Sequence, residues 1–164
     1  MIPPALLGRV LAREGGIADV QDGRGVTRFG QTPQWLEDWA LPTPTSAAEA
    51  AANYQVWASL THLDTLCAVD DPLAEQLLDF AVHSGVATAV RSLQRILKIP
   101  ADGVIGPQTR LVAAAHPSDH LALSLYCYRL RLIGKLLARA ENARYAGGWL
   151  NRMAELAQTP HPIF

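Results

Sequence analysis

Apolar residues recur at helical spacing along most of the chain. The pattern predicts helices over residues 5–14, 33–39, 46–60, 72–83, 86–98, 107–115, 119–143 and 148–157. Start signals mark several of the helices: Thr45 or Ser46 as a cap, the sequence Asp70-Asp71-Pro72, and Ser118 or Asp119 as a cap. The pattern therefore predicts a mainly α protein.

Residues 15–32 interrupt this helical pattern. They mix glycine, aspartate, threonine and arginine, which predicts a loop or a small irregular β-hairpin. Because loops held by rigid elements commonly carry function, this segment is the first candidate for a functional site.

The composition narrows the class of protein. The chain has 164 residues, of which 49% are hydrophobic and 18% charged, which fits one folded domain or one with a small appendage. A net charge of -1 argues against a nucleic-acid partner. Cys67 and Cys127 lack the spacing of a zinc site, and we interpret them as buried free thiols. No apolar run is long enough to span a membrane.

Three residues around the glycine-rich segment could perform hydrolysis. Glu14 ends an apolar helix, and a carboxyl group beside apolar neighbours has a raised pKa that suits a general acid. Asp22 lies in a wetter turn, where an ionised carboxylate could orient water with the hydroxyl of Thr27. The alternative is purely structural, since Asp22-Gly23 is an ordinary turn dipeptide and Thr27 fits a strand.

The ordered motifs of the chain resemble those of glycoside hydrolase family 108, the N-acetylmuramidases of phages and bacteria. The resemblance spans about residues 8–155. Its segments are Arg13-Glu14-Gly15-Gly16, Asp22-Gly23-Arg24-Gly25-Val26-Thr27, Asn53-Tyr54-Gln55-Val56-Trp57, Phe80-Ala81-Val82-His83-Ser84-Gly85, Leu93-Gln94-Arg95-Ile96-Leu97, Asp102-Gly103-Val104-Ile105-Gly106-Pro107-Gln108-Thr109 and Gly148-Trp149-Leu150-Asn151-Arg152.

The resemblance implies a lysozyme-like fold with a catalytic muramidase lobe at 1–85 and a helical peptidoglycan-binding lobe at 86–164. It implies hydrolysis of the β-1,4 bond between N-acetylmuramic acid and N-acetylglucosamine, with Glu14 as the general acid. Asp22 and Thr27 would position or activate the water. Inversion is expected, with the two carboxyl groups ~6.5–9.5 Å apart. No metal or organic cofactor is expected.

Departures from the family pattern support a second hypothesis. Ile17 stands where the family has tyrosine, Gln31 replaces an apolar residue, and His83 stands where asparagine is usual. A catalytically degenerate domain that binds peptidoglycan or acts as a scaffold would carry such changes. A third hypothesis is a generic helical interaction domain, in which Glu14 would be replaceable.

Substrate-binding roles are predicted for Tyr54, Trp57 and His83. The two aromatic rings could stack on a sugar, or they could belong to the core. His83 could line the cleft, or it could be a structural residue near a helix end. Six basic residues at 129–152 could face the anionic wall, or they could form a solvated helix face.

The N-terminus lacks the features of a secretory signal. We therefore expect synthesis in the cytoplasm and action on peptidoglycan in the periplasm or wall, after delivery by a holin, a secretion machine or a phage particle. A monomer that binds one glycan strand is expected.

Overall fold

The computed structural model describes residues 1–19 and 25–158. The chain divides into two compact units, Met1–Val69 and Asp70–Phe164. The boundary between these units precedes the predicted lobe boundary at 85/86, so the helix before that boundary belongs to the second unit. The assignment of catalysis to 1–85 and binding to 86–164 stays a prediction.

The first unit combines helices with a small sheet. Its elements are α1 (Pro4–Glu14), β1 (Ile17–Asp19), β2 (Val26–Arg28), α2 (Pro33–Asp38), α3 (Ala47–Leu60) and a 3₁₀ turn (Leu63–Thr65). The two strands are antiparallel, and Ala18 pairs with Thr27. This hairpin lies within the segment for which a loop or irregular hairpin was predicted.

Local capping explains where α2 and α3 begin. The hydroxyl of Thr32 accepts a hydrogen bond from the Trp35 amide, which satisfies one of the unpaired donors of the first turn. Ser46 does the same for the Glu49 amide, and the Glu49 carboxylate accepts from the Thr45 amide at 2.7 Å. The predicted cap at Thr45 or Ser46 is therefore formed by Ser46, with Thr45 held by Glu49.

The second unit is entirely helical over its described residues. It contains α4 (Pro72–Ser84), α5 (Val86–Ile96), α6 (Pro107–Ala114), α7 (Ser118–Leu137), a 3₁₀ segment (Ala140–Tyr145) and α8 (Ala146–Ala157). Helix α4 packs against α5 and α7, and its residues 73–81 are all buried. Burial on every face identifies α4 as the central helix of this unit.

The longest predicted helix is shorter than expected. Helix α7 ends at Leu137, not at 143, because the Asn142 side chain folds back and donates to the Leu136 carbonyl at 2.8 Å. That bond satisfies a carbonyl which continued helix would have used. Helix α8 begins at Ala146, so the glycine pair lies in its first turn and does not precede it.

Ser118 does not cap the helix that it begins. Helix α7 has no side-chain cap bond, and the Ser118 hydroxyl instead accepts from the Leu73 amide at 3.0 Å. Together with Asp71, which accepts from the Ala74 amide at 2.8 Å, it caps α4. The start of α4 is therefore fixed from two places in the sequence.

The fold-class prediction is confirmed, because the chain is mainly helical with a tiny antiparallel sheet, consistent with a lysozyme-like fold. Across the described ranges, no helix is both long enough and apolar enough to cross a bilayer.

Candidate functional site

Glu14 is the last residue of α1, and its position is fixed by the packing of this helix and by the turn that follows it. Leu6, Leu7 and Val10 are buried on one side of the helix. Gly15, with φ +73°, then turns the chain into β1. Glu14 itself is partly buried.

The carboxyl group of Glu14 lies against Gly30. A methyl group built on Gly30 would be 2.5 Å from Glu14 Oε2 and 2.8 Å from the Tyr54 hydroxyl. The Tyr54 hydroxyl donates to the Phe29 carbonyl at 3.1 Å, and the Phe29 amide donates to the Gly16 carbonyl at 2.9 Å. The turn after β2 thus brings Glu14 and the Tyr54 hydroxyl to one place.

Changing Gly30 to alanine tests this arrangement. Gly30 has φ +79°, so alanine is strained there, and its methyl group would displace Glu14 and Tyr54. If Glu14 is the general acid that the resemblance implies, peptidoglycan cleavage should fall about 10²-fold, the cost of misplacing a catalytic group by about 1 Å. Turnover of a soluble glycan fragment measures it.

Gly25→Ala is the matched control for that variant. Gly25 has φ +78°, and among the described residues its added methyl group would meet the Pro33 ring, at 3.2 Å. Both variants should lose similar stability in thermal unfolding. Equal activity in the two variants would show that Gly30 acts through backbone strain alone.

The structure describes two of the three predicted catalytic residues. Thr27 is the middle residue of β2 and is partly buried. Asp22 lies outside the described residues, as does most of the connection between the strands. Catalytic roles for Glu14, Asp22 and Thr27 stay predictions, as does the predicted carboxyl separation.

Tyr54 and Trp57 belong to an aromatic cluster with Trp35. The three ring centroids lie 5.4 to 5.8 Å apart in tilted and edge-on geometry. Tyr54 and Trp57 are each only 2% exposed, so a sugar could stack on their faces only after the side chains moved. Direct sugar contact by these rings stays a prediction, and their observed contacts are those of core residues.

Gln31, a polar residue where the family pattern has an apolar one, has a structural role in this chain. Its side chain is fully buried. It donates to the Ala50 backbone carbonyl at 2.9 Å and accepts from the Asn53 side-chain amide at 2.8 Å. Asn53 also donates to the Pro42 carbonyl. This network ties the chain before α2 to α3. Ile17, by contrast, is 55% exposed in β1.

His83 lies near the end of α4 in the second unit. Its Nδ1 is 3.1 Å from the Ser84 hydroxyl. Burial, together with the positive charges of Arg129 and Arg152, lowers the pKa of His83 to about 4, although Asp79 acts in the opposite direction. The imidazole is therefore neutral at physiological pH. It could hydrogen-bond a substrate but would carry no charge, and its substrate role stays a prediction.

A buried ion cluster lies at the centre of the second unit. The fully buried Asp79 carboxylate accepts from Arg129 Nη1 at 2.7 Å and from Arg152 Nε and Nη2 at 2.9 Å each. Burial alone would raise the pKa of Asp79, but the two guanidinium groups hold it at about 2. The cluster links α4, α7 and α8.

This cluster corrects the predicted basic strip. Arg129 is buried, and its guanidinium also lies over the Phe80 ring at 4.9 Å from the centroid. Arg152 is 11% exposed. Two of the six basic residues therefore serve the interior of the unit. The exposed members are Arg131, Lys135, Arg139 and Arg144.

The Leu-Gln and Asp-Gly motifs of the second unit form one polar network. The Gln94 side chain donates to Asp102 at 2.7 Å and to Thr109 at 3.1 Å, and it accepts from the Gly103 amide at 2.8 Å. These bonds fasten the loop between α5 and α6. Among the described contacts, this motif is structural.

Sequence reasoning did not single out Gly30, and it named Asp79 only as a departure from the family's Phe-Asp order. Gly30 becomes important only because its positive φ brings Glu14 and Tyr54 together. The available signal was the Phe29-Gly30 pair directly after a predicted hairpin. For Asp79, the signal of a buried role was its position directly between two apolar residues, Leu78 and Phe80.

Comparison with known proteins adds the family context. Residues 88–154 match the model of a predicted peptidoglycan domain. No curated protein sequence matches the chain. The structure is similar to that of SagA from Brucella abortus, with 25% sequence identity and a TM-score of 0.73, over 93% of this chain and 89% of that one. The chain is therefore a peptidoglycan-related protein, with a predicted peptidoglycan domain in its second unit.

Proposed function

We propose that this protein is an N-acetylmuramidase of the glycoside hydrolase family 108 type, which hydrolyses the β-1,4 bond between N-acetylmuramic acid and N-acetylglucosamine. Glu14 protonates the leaving glycosidic oxygen. Asp22 and Thr27 place the attacking water on the opposite face of the sugar ring. The product then has the inverted configuration.

The observation that carries the proposal is the position of Glu14. Glu14 is partly buried at the end of α1, and its carboxyl group lies against Gly30, beside the Tyr54 hydroxyl. A general acid needs a fixed position and surroundings that favour its protonated form, and it needs access to the substrate. The end position on α1 and the close contact with Gly30 support the first of these needs, a fixed position.

Thr27 and the family context support the rest of the mechanism. Thr27 lies in β2, two residues before the turn that contacts Tyr54. A hydroxyl held on a strand can orient water without changing its own position. The match of residues 88–154 to a predicted peptidoglycan domain supports the substrate. The proposed place of action is the wall, which the protein would reach after delivery by a holin, a secretion machine or a phage particle.

The experiment is digestion of purified peptidoglycan, with the released fragments identified by mass spectrometry. A muramidase leaves fragments with muramic acid at the reducing end. Proton NMR of the first-formed anomer then distinguishes inversion, which gives the α-anomer, from retention. Anhydromuramic ends would instead identify a lytic transglycosylase and refute the hydrolytic mechanism.

The second candidate function is a peptidoglycan-binding or scaffold module without turnover. The exposed Ile17, in place of the family's tyrosine, favours it. Co-sedimentation with the insoluble wall distinguishes the candidates. Binding without the release of any fragment would favour this module over the enzyme.

A further inference from the structure

Residues 28–31 form a tight turn directly after β2. Backbone bonds join Arg28 and Gln31 in both directions, at 3.0 and 2.9 Å. The two central residues, Phe29 and Gly30, have φ +51° and +79°, and positive φ at both positions is the requirement of a type I′ turn. Glycine adopts such angles freely, but phenylalanine does not. The conformation of Phe29 therefore has to be held by its surroundings.

Phe29 is bonded through both of its backbone polar groups. Its amide donates to the Gly16 carbonyl at 2.9 Å, two residues beyond Glu14. Its carbonyl accepts from the Tyr54 hydroxyl at 3.1 Å. Because the second bond comes from a side chain of α3, it ties the turn to that helix, and a single substitution can remove it.

The Tyr54 hydroxyl is itself held in a fixed place. Tyr54 is 2% exposed, and its ring packs against Trp35 and Trp57 with centroids 5.4 and 5.8 Å away. A hydroxyl on a packed ring has little freedom to move, so its bond can define where the turn lies.

Gln31 adds a second attachment between the turn and α3. Its buried side chain donates to the Ala50 carbonyl and accepts from the Asn53 side-chain amide. Ala50, Asn53 and Tyr54 have the spacing of residues on one side of a helix. One side of α3 therefore holds the turn at both its centre and its end.

The attached turn lies against Glu14. A methyl group built on Gly30 would be 2.5 Å from Glu14 Oε2 and 2.8 Å from both Glu14 Cγ and the Tyr54 hydroxyl. The carboxyl group and the hydroxyl are thus neighbours across Gly30. A displacement of the turn relative to α3 would change the space that the Glu14 carboxyl group occupies.

We infer that Tyr54 is a positioning residue for Glu14. Its hydroxyl holds the Phe29 carbonyl, which keeps the turn in its left-handed conformation and keeps Gly30 against the carboxyl group. Tyr54 then serves the reaction without touching the substrate, in agreement with its burial. The inference rests on the proposed function and deepens it, because it names the residue that fixes the general acid.

Tyr54→Phe tests the inference, because it removes the hydroxyl and keeps the ring in the aromatic cluster. With a soluble glycan fragment as substrate, we expect kcat to fall at least about tenfold with little change in KM, since the acid is misplaced while substrate contacts are kept. Tyr126→Phe is the matched control, because the Tyr126 hydroxyl donates to the Met153 carbonyl at 3.2 Å in the second unit. It should lose similar stability in thermal unfolding but cleave like the wild type.

An NMR measurement separates this inference from the proposed function, because it needs no turnover. The carboxyl carbon signal of Glu14, assigned with Glu14→Gln, should move in Tyr54→Phe and stay in place in Tyr126→Phe. If the wild type does not cleave but the signal moves in this way, the enzymatic proposal fails and the positioning of Glu14 by Tyr54 stands.

A second background tests the route through the turn. Asparagine followed by glycine is a pair that favours a type I′ turn, so Phe29→Asn should hold the turn without help from α3. Tyr54→Phe should therefore reduce kcat less in the Phe29→Asn background than in the wild type.

Four results would overturn the inference. They are cleavage by Tyr54→Phe at the rate of Tyr126→Phe, an unmoved Glu14 signal in Tyr54→Phe, and an equal loss of kcat in the two backgrounds. The fourth is a raised KM with unchanged kcat, which would place Tyr54 at the substrate.

Discussion

Replacing Glu14 with glutamine is expected to slow peptidoglycan cleavage by about 10²–10⁴-fold, the range that general acid catalysis contributes. Glutamine keeps the shape of the side chain against Gly30, but its amide cannot protonate the leaving oxygen. Thermal stability and wall binding should stay close to those of the wild type. The release of reducing muramic acid ends measures the rate.

Glu37→Gln is the matched control for this prediction. Glu37 is exposed on α2 in the same unit, so the control makes the same change in net charge. Its cleavage rate should equal that of the wild type. If Glu14→Gln also cleaved at the wild-type rate, another residue would have to supply the proton, and the assigned mechanism would be wrong.

The start of a helix was predictable where its cap is local. Asp71, within the start signal Asp70-Asp71-Pro72, and Ser46, one of the two candidate caps of α3, both form capping bonds. The end of α7 was not predictable in this way. It depends on Asn142 folding back onto Leu136, and no helical periodicity encodes that return.

Long-range contacts limited what could be foreseen of the candidate site. The resemblance pointed to Glu14 and Thr27, and local sequence placed them at a helix end and on a strand. The position of the Tyr54 hydroxyl could not be foreseen, since it depends on a bond to Phe29 across 25 residues. Phe29 itself has φ +51°, which a phenylalanine rarely adopts.

The charged residues of the second unit show the same limit. Sequence alone assigned Arg129 and Arg152 to a basic strip, because spacing cannot distinguish an exposed arginine from one that neutralises a buried carboxylate. Their partner, Asp79, lies 50 and 73 residues away. Only the packing of α4 against α7 and α8 brings these charges together.

Replacing Asp79 with alanine is expected to lower the free energy of unfolding by about 3–5 kcal/mol, the usual cost of breaking a buried ion pair by removing one partner. The loss is large because Arg129 is buried and would lose a 2.7 Å bond to a full negative charge. Chemical denaturation, followed by circular dichroism, measures it. Asp38→Ala, which removes an exposed carboxylate from α2, should change stability by less than about 1 kcal/mol.

A charge-neutral replacement and a pH series test whether charge is the cause. Asp79→Leu/Arg129→Met removes both members of the Asp79–Arg129 pair and should be more stable than Asp79→Ala.

The pKa of Asp79 is lowered from 3.8 to about 2 on folding, so its ionised form stabilises the native state above about pH 4. That stabilisation is lost as pH falls from about 4 towards 2. The difference in free energy of unfolding between wild type and Asp79→Asn should therefore narrow over that range. A difference that did not change with pH would mean that Asp79 acts only through its shape and hydrogen bonds, because only an ionised carboxylate makes stability depend on pH in this way.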